Sequence, residues 1–178
     1  MIYINQVLQY VKDSKRIRVV EIEDSYVFIV DIDAHTSMPK KELYTTLVTE
    51  IEQNELLVIA DPFARVVVNS DLTEVQIQKR EDDWDTIQKY CLKHIDILMK
   101  KRGRETKIKE IAEELNVTPT KVKKLISRYW QRGMNKNAML PDYANSGGKG
   151  RTKALTNNKV GRPRRVNISG NYQTGINI

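Results

Sequence analysis

Between Thr118 and Arg132 the chain sets five cations, Lys121, Lys123, Lys124, Arg128 and Arg132, behind two hydroxyls, Thr118 and Thr120. No Asp or Glu occurs from Leu115 to Pro141. Ammonium, guanidinium and hydroxyl groups without a neighbouring base or metal do not break bonds; they donate hydrogen bonds and carry charge, which is the chemistry of holding a polyanion. At helical spacing Val122, Leu125, Ile126 and Tyr129 take one face, and the cations are left on the other. In a helix-turn-helix the N-terminal part of the second helix enters the major groove, which assigns Thr120, Lys121 and Lys124 to base edges. Thr118, Lys123, Arg128 and Arg132 are assigned to phosphates, with free N–H groups at the helix start able to hold one more.

Groups that could do catalysis are sparse. Asp31 and Asp33 end an apolar run with no nucleophile or metal-like cluster nearby and read as a solvated turn. Cys91 and His94 lie near one another on an apolar stripe and read as core. One cysteine and two histidines, His35 and His94, exclude an internal disulfide and cannot assemble a structural zinc cage. No catalytic, metal or cofactor residue is assigned.

The elements that must position the basic face are legible around it. Ile108, Ile111, Ala112 and Leu115 predict a first helix, and Asn116, Val117 and Thr118 a three-residue turn. Ala112 is small where helices cross, Asn116 tolerates the left-handed conformation, and Val117 plugs the corner. Thr118 suits the cap of the second helix and Pro119 its first position. Residues 81–101 predict a longer helix, with Trp84, Ile87, Cys91, Ile95 and Leu98 on one stripe and Asp82, Asp83 and Asp85 in its first turn. Upstream, Arg16–Ile22, Tyr26–Asp31, Leu56–Ala60 and Val66–Val68 are strand candidates, with a tight turn over residues 23–25 and a helix over Pro39–Asn54.

Charge divides the 178 residues into unlike parts: residues 1–76 carry a net −6, 77–103 a net +2 and 104–178 a net +11. The resulting division is an acidic mixed strand/helix domain at 1–76, a connecting helix at 77–103, a helix-turn-helix unit at 104–133 that takes the 81–101 helix as its first, and a basic flexible arm at 134–178. The fold class is α+β: a small sheet-containing domain, an all-helical helix-turn-helix domain and a flexible basic tail. Seven of the eight glycines lie from residue 133 onward, and seven cations without an acid fall between Lys149 and Arg165. Within that stretch Gly161–Arg165 is similar to the core of an AT-hook, which would put Arg162, Arg164 and Arg165 in a minor groove; a plain charged linker explains the same residues and is the preferred reading. No apolar run approaches the roughly 20 residues that span a bilayer, and the start lacks the pattern of a secretory signal, so a cytoplasmic, nucleoid-associated protein without a membrane partner is expected.

The stretch RYWQRG at Arg128–Gly133, followed by NKNAMLPDYANSGG at Asn135–Gly148 and preceded by QKRED at Gln78–Asp82, resembles the N-terminal region of TnsB-like transposases. The resemblance runs from the N-terminus to about Arg165. It implies recognition of transposon-end double-stranded DNA, other transposition proteins as partners, and no small-molecule substrate. In that family a ribonuclease H-like domain of the integrase type follows, with three metal-binding carboxylates. Such a site is not visible in this sequence, so this chain is expected to be a DNA-binding part and not an enzyme, with magnesium implied only for the absent domain. A helix-turn-helix transcriptional regulator is the alternative, which palindromic half-sites would favour; a module binding an acidic protein is a third.

Overall fold

The computed structural model describes residues 1–64, 67 and 69–141. The expected arm beyond Pro141, with Arg162, Arg164 and Arg165, therefore lies outside the described residues, as do Val66 and Val68 of the strand expected there.

The sheet grows from one hairpin. β2 (Arg16–Glu23) and β3 (Tyr26–Asp31) pair antiparallel across Asp24 and Ser25, where Asp24 takes a φ of 47°. β1 (Val7–Tyr10) joins β2, β5 (Leu56–Ile59) joins β1, and β4 (Lys40–Leu43) joins β3, giving the antiparallel order β4-β3-β2-β1-β5. Alternation along β2 and β3 separates two cores. Ile17, Val19, Val27 and Ile29 face α1 (Tyr44–Glu52) and its buried Leu47, while Val20, Phe28 and Val30 face the helices that follow. With both faces covered, the central strands read as nearly continuous apolar runs, which explains the imperfect alternation in the sequence.

The helix expected over Pro39–Asn54 is shorter, because Lys40–Leu43 pairs with β3 and the helix begins only at Tyr44. Strand pairing here overrides the helical spacing of Leu43 and Leu47.

α2 (Glu74–Thr86) starts before the expected residue 81. Its start is fixed by a capping box: the Thr73 hydroxyl accepts from the Gln76 N–H, and the Gln76 side chain accepts from the Thr73 N–H at 2.9 Å. Asp82, Asp83 and Asp85 therefore sit inside the helix and not in its first turn. The expected single helix over 81–101 is also broken. A π-helical turn at Ile87–Cys91 and a 3₁₀ turn at Leu92–His94 precede α3 (Ile95–Met99), and α4 (Lys101–Glu114) contains non-helical Arg102 and Gly103, the latter at φ 82°. The apolar stripe survives these breaks: Ile87, Cys91 and Leu98 are fully buried, and Trp84 and Ile95 pack against the same core.

α4 and α5 (Pro119–Gln131) form the expected helix pair. Asn116 adopts φ 51°, the Val117 N–H donates to the Ala112 carbonyl at 2.9 Å, and Ala112 is buried at the crossing. Thr118 caps α5 and Pro119 opens it. Val122, Ile126 and Trp130 are buried, with Leu125 and Tyr129 packed beside them. At the other end Gly133 takes φ 102° and the Met134 N–H reaches back to the Tyr129 carbonyl at 2.9 Å, a Schellman-type closure that favours glycine.

Chain expected to be arm continues this core. A 3₁₀ turn at Lys136–Met139, capped by Asn135, buries Ala138 and Met139 among the helices. Two apolar residues are too few to register in a periodicity, yet their position just after α5 folds them back onto it.

Candidate nucleic-acid interface

The exposed side of α5 is set by what its other side holds. Ser127 and Gln131 are buried polar residues, and both are bound to the end of β3 or the loop that follows it. The Ser37 N–H donates to Ser127 Oγ at 2.7 Å, the Ser127 hydroxyl donates to Gln131 Oε1 at 3.0 Å, and Gln131 Nε2 donates to the carbonyls of Asp31 and Ala34 at 2.8 and 2.7 Å. Arg18, fully buried on β2, donates from Nε to the Gln131 carbonyl at 3.2 Å and makes a bidentate pair with Asp61 at 2.7 and 2.8 Å. Burial alone would raise the Asp61 carboxyl, but the Arg18 guanidinium and the Phe63 N–H outweigh it and hold it below the usual carboxylate range. Residues seven apart on a helix lie about 20° from one another. Thr120 and Lys124 therefore share a stripe with Ser127 and Gln131, whose C-terminal half docks on the sheet while its N-terminal half is exposed.

A shallow cleft of about 340 Å³ brings Thr118, Thr120, Lys121, Lys124 and Arg128 together with Lys79 and Asp83 of α2. Lys123 and Arg132 lie outside it. Thr120, Lys121 and Lys124, the three base-edge candidates, are exposed, and neither lysine forms an ion pair among the described residues. The phosphate candidates are engaged within the chain. Lys123 pairs with Glu105 of α4 at 2.5 Å, and Arg128 lies 3.6 Å from Asp83, which Lys79 also holds at 2.7 Å. Arg132, half-buried, donates to the Leu140 carbonyl at 3.2 Å and sits 5.5 Å from the Phe63 ring centroid. Thr118 has its hydroxyl bound to the Lys121 N–H, and Pro119 has no N–H, which leaves the backbone N–H groups of Thr118 and Thr120 for the phosphate cradle expected at this helix start.

Lys79 and Asp83 were not legible as parts of this surface. They stand some forty residues before α5, and no local pattern links them to it. Asp83 puts one carboxylate beside a face on which the sequence of α5 itself has none. Cys91 is fully buried and burial pushes its thiol up to about 12, in keeping with a core residue. Asp31 and Asp33 form a turn: Asp31 Oδ1 accepts from the N–H groups of Asp33 and Ala34, while Asp33 pairs with Arg16, which lowers its pKa. Among the described residues no group of three His, Cys, Asp or Glu could hold a metal ion, and no helix is long and apolar enough to cross a membrane.

Residues 1–62 match the TnsB N-terminal SH3-like domain, and residues 80–143 match the TnsB second domain. Transposon Tn7 transposition protein TnsB of Escherichia coli is 31% identical over 168 residues, which cover 90% of this chain and 23% of that protein. The chain thus spans about a quarter of the relative's length. The two models occur in succession, one on the sheet and one on the helices, and the identity to the relative extends across both: the chain belongs to the TnsB transposase family over its SH3-like and second domains.

Proposed function

We propose that this chain binds transposon-end DNA in a sequence-specific manner during DNA transposition, with the N-terminal half of α5 in the major groove. The observation that carries the reading is the contrast along α5: Thr120, Lys121 and Lys124 are exposed and free of ion pairs among the described residues, whereas Lys123 and Arg128 are paired with acids from α4 and α2. Major-groove donors must be unengaged to meet base edges, while phosphate contacts can be gained by exchanging one anionic partner for another. Thr118, Lys123, Arg128 and Arg132 are accordingly proposed as phosphate contacts. The family supplies the target: the relative is by name a transposition protein. Other transposition proteins are proposed as further partners and the nucleoid as the location. No catalytic step and no cofactor is assigned to these two domains.

Fluorescence anisotropy on a labelled element end and on a random duplex of equal length tests this. Lys121→Ala or Lys124→Ala is expected to reduce discrimination between the two duplexes by roughly 1–3 kcal/mol where the contact is bidentate. Arg132→Ala is expected to weaken both duplexes alike. Equal losses on both duplexes from all three substitutions would refute the base assignments. A nuclease footprint confined to palindromic operator-like half-sites, absent from element ends, would refute the target.

A further inference from the structure

A second basic surface lies away from the α5 cleft, where β4 meets the junction of α3 and α4. It surrounds a cavity of about 970 Å³ whose wall includes Arg104, Lys40, Lys41, Lys100 and Lys101. We propose that this cavity is a DNA contact of its own, taking the phosphodiester backbone of the duplex that α5 reads; it rests on that reading and extends it to the SH3-like domain.

Arg104 is the central observation. It is only 7% exposed, and its guanidinium donates to three neutral carbonyls: Nε to Leu98 at 2.7 Å, Nη2 to Pro39 at 2.8 Å and to Met99 at 2.5 Å. It forms no ion pair among the described residues, and Nη1 has no hydrogen bond among them. Burial pulls its pKa below the usual value, against the field of Glu105, yet an arginine keeps its charge. A largely buried cation whose hydrogen bonds all go to neutral carbonyls gains from an anion placed beside it.

The rim adds further cations. Lys41, Lys100 and Lys101 are exposed, and none is in an ion pair among the described residues. Lys41 stands opposite Phe28 in the β3–β4 pairing, on the face turned to the helices, with its ammonium 3.7 Å from the Tyr26 ring centroid. Of the three acids on the wall, Asp31 is paired with Lys15 at 3.7 Å and Glu105 with Lys123 at 2.5 Å. The third, Glu42, alternates to the face of β4 away from Lys41, the face it shares with Lys40.

Position favours a polymer's phosphates over a free anion. Glu105 lines this cavity and at the same time holds Lys123 of α5, which sets the cavity beside the second helix. Along α4, Arg104 lies twelve residues before Asn116 of the turn, or about 18 Å at 1.5 Å per residue. That is well within the roughly 34 Å of one duplex turn, on the helix that in helix-turn-helix proteins crosses the backbone.

The test uses the full chain, a labelled element end and a random duplex, with affinity measured across a series of salt concentrations. The variants are Lys41→Ala/Lys101→Ala and, as the charge-preserving version, Lys41→Arg/Lys101→Arg. If each lysine meets one phosphate, the alanine pair lowers the logarithmic salt slope by about 1.8 and weakens both duplexes at least about tenfold near 0.1 M salt, while the arginine pair keeps the slope. Wild-type binding with an unchanged slope in the alanine pair would overturn this inference and leave the α5 reading standing. Absence of binding to any duplex by the wild type would overturn both. Inorganic phosphate alone, titrated by calorimetry at constant ionic strength, gives the other arm: binding below millimolar that the alanine pair abolishes would make this a free-anion pocket and overturn the backbone assignment.

Discussion

Replacing Asp61 with alanine leaves the Arg18 guanidinium fully buried and without its carboxylate. Three acceptors remain, the Gln131 and Asn5 carbonyls at 3.2 Å and Asn5 Oδ1 at 2.7 Å, but all are neutral. Two charge-assisted bonds are lost, and removal of one partner of a buried pair costs about 3–5 kcal/mol. That is a large fraction of the roughly 5–15 kcal/mol that holds a domain folded. The reverse change is milder. Arg18→Met removes the buried charge and strands Asp61, whose side chain is 22% exposed and can take up water, for about 1–3 kcal/mol. The double variant is expected to resemble Arg18→Met more than the sum of the two, a coupling of at least about 2 kcal/mol by urea unfolding with linear extrapolation. Acid titration gives an independent reading. Because Arg18 depresses the Asp61 pKa, its contribution is complete above the ordinary carboxylate value of about 3.9 and is lost as pH falls through the lower folded value. The advantage of wild type over Arg18→Met therefore narrows below about pH 4. A coupling under about 0.5 kcal/mol, or an advantage constant from pH 7 to 3, would refute the reasoning.

Two further outcomes test the core. Cys91, with no exposure and a thiol pushed up to about 12, is expected to react with a disulfide reagent only as fast as the chain unfolds, with no acceleration between pH 7 and 9; rapid labelling of the folded protein would contradict its placement. Met139→Ala is expected to destabilise the chain by about 2–5 kcal/mol in urea, and truncation after Gly133 by at least as much, whereas a residue of a solvated arm would cost nearly nothing.

What the sequence revealed follows from how local each signal is. The helix-turn-helix was legible because the cap at Thr118, the proline at Pro119, the left-handed Asn116 and the apolar period of α5 all lie within fifteen residues of one another. β4 was not legible, because Lys40–Leu43 becomes a strand only by pairing with β3, and its own residues fit a helix equally well. β1 offers only Val7 and Leu8 as an apolar signal, and it is held by neighbours on both sides. The start of α2 had a readable capping box at Thr73 and Gln76, but the first turns expose Val75 and bury little, so the hydrophobic period began to register only near Trp84. The acids that temper the basic face, Asp83 and Glu105, come from other helices, and proximity of that kind is a property of packing alone.

Those distant partners change what the sheet is for. Had the SH3-like domain been merely tethered, α5 would be free to present any part of its polar stripe. Instead the stripe that begins with Thr120 and Lys124 ends in Ser127 and Gln131, and these are bound to Ser37, Asp31 and Ala34 of the sheet domain. A rotation of α5 by one residue, about 100°, would break every one of these bonds and turn Lys124 away from the cleft. The buried polar contacts between the domains therefore fix the azimuth of the second helix, and Arg18 with Asp61 holds its C-terminal carbonyl from behind. Base readout requires donors placed to within a fraction of an ångström, and loops seldom deliver that. Under the proposed function the acidic first domain would contribute to DNA recognition twice: it would aim α5 through residues that never meet the duplex, and it would offer Lys41 to the backbone beyond it.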